Sequence, residues 1–255
     1  MKYCTSLLVV ALVNIAIGHI HSQVVINEFS ASNYSHFGLG SEWDMEFEDW
    51  IELYNTADEA VDISGYHLSD KLADPMRWAI PAGTVIQPGE FEVFLISGEG
   101  DFNVETEGHY HANFKWKQTY GEDIVFADAG GVVLENYSFS ELGVTQRDHS
   151  FARNTDGIGE WRICSTPSPE ATNTGEFFTA YAQKPYLTIN PGWYLSDLAL
   201  ELFTDQEGIT LYYSLDGSEP SDGSQLYSEP IDVSETAVLR AIAYSDDPDI
   251  HPSFI

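Results

Sequence analysis

The chain has 255 residues, which is enough for one large domain or two small ones. Its 41 Asp and Glu against 10 Lys and Arg give a formal net charge of −31, and a polyanion of this size is repelled by nucleic acid and by anionic membrane surfaces. The acids are scattered rather than gathered in one block, which indicates a solvated acidic surface and not a disordered tail. Frequent Gly and Pro, without a long apolar helical pattern, predict an all-β protein.

Residues 1–22 are predicted to be a signal peptide. Lys2 supplies a positive start, residues 7–17 form an apolar run, and residues 20–22 are suitable for cleavage. The run is short for a membrane span, so we favour a cleaved signal peptide. An N-terminal membrane anchor is the alternative. We expect a secreted or cell-surface protein without a transmembrane span, with a net charge of −32 after cleavage. Cys164 is then the single cysteine, which predicts a buried, inert thiol; an exposed thiol that joins two chains is the alternative.

Three short strand patterns follow, at residues 24–29, 49–55 and 60–70. They are rich in β-branched and aromatic residues and are separated by polar turns, which predicts the opening of a β-sandwich. Glu28 and Glu52 lie inside the first two patterns, and we interpret them as polar, half-exposed strand positions. The alternative is that the two side chains face each other, in which case one is protonated or the two share a cation.

Several separated motifs carry a family resemblance. They are VVINEFSASN, EDWIELYNTADEAVDISGYHLSD, WAIPAGTVIQPGEFEVF and HSFARNTDGIGEWRICSTPSPEATN, in that order. Together they cover about residues 24–173 and resemble a lamin tail domain of the bacterial secreted type. The resemblance implies an immunoglobulin-like β-sandwich at residues 23–173, and it implies no enzyme, since a fold alone does not give a function.

A change of composition predicts a second domain. Residues 174–179 are expected to be a linker, and residues 180–255 a second unit. Within that unit, TLYYSLDGSEP and TAVLRAIAY resemble the small domain at the C-terminus of chitobiase and β-hexosaminidase-type proteins. The resemblance implies another immunoglobulin-like sandwich. Its last strand should follow residues 251–255, so we expect this unit to be truncated at its C-terminal end.

Two stretches contain candidate metal ligands. Asp44, Glu46 and Glu48 lie in an acidic run, where hard cations such as calcium find carboxylate oxygens. Because the spacing matches no EF-hand loop, we favour a surface loop over a calcium site. His109 and His111 form an H-x-H pair that could bind zinc, although a solvated loop is again favoured. We therefore predict no cofactor, with calcium as the alternative.

No catalytic motif is visible in the sequence. G-x-S-x-G, HEXXH and a phosphate-binding loop are absent, so we predict that this chain is not an enzyme. The favoured function is a non-catalytic extracellular module pair for display, anchoring or interaction, with an extracellular protein or glycan as partner. One alternative is the N-terminal part of a larger secreted enzyme, such as a spore-coat-H-like kinase. Another is a carbohydrate-binding module, in which Trp43, Trp116 and Trp193 would stack on sugars.

Overall fold

Two facing β-sheets enclose the first hydrophobic core in a computed structural model that describes residues 23–39, 46–100 and 108–255. A seven-stranded and a four-stranded sheet are accompanied by two two-stranded pairs, a 3₁₀ turn at Gln118–Tyr120 and the short helix α1 (Phe139–Leu142). The strands are β1 (Val24–Ser30), β2 (Gly38–Leu39), β3 (Glu46–Phe47), β4 (Trp50–Asn55), β5 (Val61–Asp62), β6 (His67–Ser69), β7 (Trp78–Ala79), β8 (Val85–Ile86), β9 (Phe91–Leu95), β10 (Tyr110–His111), β11 (Asp123–Ala127), β12 (Val133–Ser138), β13 (Ser150–Arg153), β14 (Trp161–Cys164) and β15 (Phe177–Phe178).

The seven-stranded sheet has the order β10-β9-β4-β1-β13-β14-β15, and the four-stranded sheet has the order β12-β11-β6-β7. The pairs are antiparallel except β9 with β10. Large apolar side chains from both sheets fill the space between them, because alternate residues of each strand point to the same side. This core includes Ile26, Phe29, Leu53, Phe94, Leu68 and Phe126.

A β-bulge in β1 decides which side chains face the core. The register of β1 against β4 shifts between Ile26 and Glu28, so Ile26 and Phe29 both reach the core although they are three residues apart. Glu28 is placed directly opposite Glu52 of β4. Because Ile51 and Leu53 point into the core, the two glutamates lie on the outer face of the seven-stranded sheet.

A second, smaller core lies in the C-terminal part of the chain. It is built from Leu200, Leu202, Leu211, Tyr213, Ile231 and Ala243, which come from short strands, and from Ala182, which follows the strand β16. These strands are β16 (Ala180–Tyr181), β17 (Tyr186–Leu187), β18 (Leu198–Leu200), β19 (Leu202–Phe203), β20 (Ile209–Ser214), β21 (Gln225–Leu226), β22 (Ile231–Val233), β23 (Arg240–Ser245) and β24 (Ile250–His251). The predicted all-β fold is confirmed. No helix in the described ranges is long and apolar enough to cross a membrane.

The stretch predicted as a linker, residues 174–179, contains β15, which pairs with β14 and extends the seven-stranded sheet. Directly after it, β16 pairs in parallel with β24 near the end of the chain. Polar and aromatic contacts then connect the two cores, and we call this region the joint. Its members are Gln146, His149, Phe178, Tyr181, His251, Pro252 and Phe254. Cys164 is free and buried, as predicted.

Candidate functional site

Glu28 and Glu52 form the most unusual polar group of the structure. Both are 0% exposed, so the prediction of half-exposed strand positions is wrong. Both glutamates lie on the outer face of the seven-stranded sheet, but that face is covered by residues 165–173, which we call the covering segment. Alternation along a strand shows which face a residue takes and does not show what lies on that face.

Neutral donors surround both carboxylates. Glu28 accepts hydrogen bonds from the hydroxyl of Ser150 and from the backbone N–H of Ser168, which lies 3.3 and 3.2 Å from its two oxygens. Glu52 accepts one bond from the amide of Asn27 at 3.0 Å and one from the backbone N–H of Glu170 at 2.6 Å. The covering segment is therefore held to the sheet by buried acceptors that belong to distant strands.

Asp156 extends this acid cluster. Its Oδ1 accepts from the amide of Asn27 at 3.1 Å and from the backbone N–H of Asn173 at 3.0 Å. Asn173 in turn donates to the carbonyl of Arg153 at 2.8 Å. The sequence reasoning missed Asn27, Asp156 and Asn173. One signal was available, because Asn27 and Glu28 are adjacent polar residues inside the apolar run at residues 24–29.

Burial changes the protonation of the two glutamates. It raises the pKa of Glu28 to about 7, although the bonds from Ser150 and Ser168 act in the opposite direction. It raises the pKa of Glu52 to about 8, and the nearby charges of Glu28 and Asp156 add to the effect. A carboxyl group without a cationic partner avoids the cost of a buried charge by keeping its proton. The two carboxyl groups are thus suited to keeping their protons within a buried hydrogen-bond network. Of the two alternatives that the sequence left open, this favours protonation over a shared cation.

The described candidates of the acidic run, Glu46 and Glu48, do not point to a common metal site. Glu46 is exposed, whereas Glu48 is buried and lies 3.3 Å from Nζ of Lys115. Burial raises the pKa of Glu48, and Lys115 opposes that effect. Asp44 and the stacking candidate Trp43 lie outside the described residues.

The histidine candidates are also occupied by local contacts. Nδ1 of His111 lies 2.9 Å from the hydroxyl of Ser97, and burial lowers the pKa of this ring. The ring of His109 packs edge-on against Phe37, 4.8 Å between centroids. Within residues 23–39, 46–100 and 108–255, no group of three or more His, Cys, Asp or Glu is arranged to hold a metal ion.

A groove of about 330 Å³ lies beside the acidic run. Glu48, Asp49 and Lys115 line it together with Tyr34. Burial raises the pKa of Asp49 to about 7, a backbone N–H from Asn33 lowers it, and Glu48 raises it further. The groove thus brings together one cation and two acidic side chains, and Asp49 was not among the residues singled out from the sequence.

The two described tryptophan candidates have opposite environments. Trp116 is 6% exposed and packs against Phe29 and Phe139, each with ring centroids 5.8 Å away. The prediction that Trp116 offers a stacking surface is therefore wrong, because its spacing in the sequence could not show that the ring completes the core. Trp193 is 96% exposed, and Leu195 is also fully exposed.

Tyr194 fixes the conformation of this exposed turn. Its hydroxyl donates to the backbone carbonyl of Asn190 at 2.5 Å, and its ring lies over Gly192. With Tyr194 turned back in this way, Trp193 and Leu195 are left projecting into solvent. We call Trp193, Tyr194 and Leu195 the apolar tip.

Comparison with protein families supports the order of the two regions. Residues 19–141 match the family described as Lamin Tail Domain, and residues 189–249 match the family described as Chitobiase/beta-hexosaminidase C-terminal domain. Comparison with curated proteins and with solved structures gives no match. The first match ends before β13, although β13, β14 and β15 continue the same sheet. The two matches follow one another in the order that the sequence motifs predict, and both families are immunoglobulin-like.

Proposed function

We propose that the protein is a non-catalytic extracellular module pair that binds and presents a partner at the cell surface. The observation that carries this proposal is the state of Glu28 and Glu52. They are the paired carboxylates best placed for acid–base chemistry, yet both are 0% exposed and their oxygens are engaged by neutral donors. A general acid or base must reach the proton that it transfers, and these groups do not meet solvent.

Surface features support the binding side of the proposal. The apolar tip projects from a strongly acidic chain, and exposed aromatic residues of this kind are enriched where proteins make contacts. The predicted signal peptide adds the expectation that the mature protein begins at Gln23 outside the cell.

Rebinding to cells tests this function. Fluorescently labelled chain, added to cells of the source organism that have been stripped of surface protein, should bind saturably. Trp193→Ala should weaken that binding about tenfold, whereas Tyr120→Ala, which removes an exposed aromatic ring from the other core region, should not. Binding no better than that of an unrelated polyanionic protein would refute the proposal.

The signal peptide is tested separately. N-terminal sequencing of the native extracellular protein should give Gln23 as the first residue.

Carbohydrate binding is a second candidate, favoured by the 96% exposure of Trp193. A flat exposed ring can stack on the apolar face of a sugar, and the neighbouring carboxylates can accept bonds from sugar hydroxyls. Co-sedimentation with insoluble neutral polysaccharides tests it. Retention that Trp193→Ala abolishes supports a glycan, and an unretained wild-type chain excludes the neutral polysaccharides used.

A further inference from the structure

The apolar tip lies in a part of the chain without any positive charge. Between Lys184 and Arg240 there are ten Asp and Glu and no Lys or Arg, so the tip is an apolar projection on an acidic background. Trp193 and Leu195 have no covering side chain, being 96% and 108% exposed. A surface that matches this tip would offer an apolar floor and a positively charged rim.

The same region of the chain contains such a surface. A groove of about 310 Å³ has a floor of Leu187, Leu202 and Leu239, completed by Pro185, Ala241 and Ile255. Lys184 and Arg240, which are the only Lys and Arg among residues 183–255, both line it. Two cations gathered at one apolar groove, in a region that has thirteen acids, make this the complement of the tip.

A single copy does not bring its own tip and groove together. The lining of the groove includes none of the three tip residues, and the tip lies in the connection between β17 and β18. The cations of the groove are held by the same chain: Nζ of Lys184 donates to the carbonyl of Ile255 at 2.8 Å, and Arg240 contacts Glu219 at 3.1 Å. Within the described residues, the groove is thus a surface to which a separate copy can supply the tip.

We propose that the protein associates head to tail with itself, the apolar tip of one copy entering the Lys184–Arg240 groove of the next. The indole of Trp193 would occupy the apolar floor, and acids near the tip, such as Asp197, would face the two cations. Such a contact joins two different surfaces, so it leaves a free tip at one end and a free groove at the other. Contacts of this kind build rings or open filaments and not closed two-fold dimers.

Salt should favour this association. Each copy carries a formal net charge of −31, or −32 without residues 1–22, so copies repel one another at long range. At about 0.15 M salt the Debye length is about 8 Å, which screens the distant charges more than the direct contacts in the groove. Sedimentation velocity of the purified chain is measured over a concentration series, at low salt and at about 0.15 M salt. The sedimenting species should become larger as the protein concentration rises and as the salt concentration rises.

Two single variants identify the surfaces. Trp193→Ala removes the tip, and Lys184→Glu reverses a rim charge. Both side chains are exposed, so we expect both variants to fold. Each should weaken the association at least about tenfold, as hot-spot changes do. The matched controls are Tyr120→Ala and Lys117→Glu, which make the same kinds of change at exposed positions of the first core region and should leave the association unchanged. Circular dichroism melts check that all variants are folded.

Mixing the two variants tests the head-to-tail arrangement directly. The Trp193→Ala chain keeps its groove and the Lys184→Glu chain keeps its tip, so their mixture should form a 1:1 dimer that grows no further, while each alone stays monomeric. A chain that is monomeric at ~1 mM refutes the proposal. So does a wild-type oligomer that both variants leave intact, or a mixture that stays monomeric. Because the assay uses purified protein alone, its outcome is independent of the rebinding to cells.

Discussion

At the scale of single residues, Glu28 is one of the groups that make stability depend on pH. Its folded-state pKa of about 7 lies above its ordinary value of 4.5, so its contribution is complete below about pH 4.5 and is lost as the pH rises through about 7. Glu28→Gln cannot ionise. Its amide oxygen can accept from Ser150 and from the N–H of Ser168, and its NH₂ can donate to the Ser168 hydroxyl, which faces Asn173 Oδ1 at 3.2 Å.

We therefore expect Glu28→Gln to unfold like the wild type at about pH 5 and to be the more stable protein at about pH 9. The difference should approach about 3 kcal/mol, since each pKa unit corresponds to 1.36 kcal/mol. Urea denaturation at both pH values measures it. Glu46→Gln, which changes an exposed carboxylate of β3, is the control and should run parallel to the wild type. Parallel curves for Glu28→Gln would mean that Glu28 is ionised in the folded protein.

At the scale of elements, the covering segment depends on Asn173. This side chain is buried, donates to the carbonyl of Arg153 and faces the hydroxyl of Ser168, while its backbone N–H binds Asp156. Asn173→Ala should cost about 1–3 kcal/mol, because it leaves buried partners unsatisfied. It should also increase proteolytic cleavage within residues 165–175, read from fragment masses. Glu170→Ala keeps the N–H that binds Glu52, so as a control it should leave cleavage unchanged. Equal cleavage of both variants would show that the Asn173 side chain does not hold the segment.

The same segment shows how far the sequence predicts this structure. The β-branched and aromatic content of residues 24–29 and 49–55 predicts the strands, and family-like motifs predict the order of the two regions, because both signals are local in the chain. The contact between Glu28 and Ser168 joins residues 140 positions apart, so no local pattern contains it. Residues 165–173 belong to the last of the family-like motifs, which places them in the first region. No motif shows that the N–H groups of this irregular backbone are the donors for two buried acids.

At the scale of the whole molecule, the joint places two histidines against each other. The ring of His149 lies 4.7 Å from the ring of His251, and Nδ1 of His149 is 2.9 Å from the hydroxyl of Tyr181. That hydroxyl also accepts the backbone N–H of Gln146 at 3.0 Å, so its own proton is free to point toward His149. Burial lowers the pKa of His149 to about 4, and it lowers the pKa of His251 as well. Asp148 and Glu176 oppose these shifts.

A lowered histidine pKa means that the folded joint prefers neutral rings, so its contribution to stability is lost as the pH falls from about 6.5 through about 4. At the acidic end, two positive rings would face each other between the two cores, and we expect the joint to open. Small-angle scattering should show a larger radius of gyration at about pH 4 than at about pH 7. His251→Phe keeps an aromatic ring beside Phe178 and Tyr181 but removes one charge, so this variant should stay compact at the lower pH. Equal expansion of both proteins would assign the opening to the protonation of other groups, and no expansion of the wild type would show that the joint tolerates both charges.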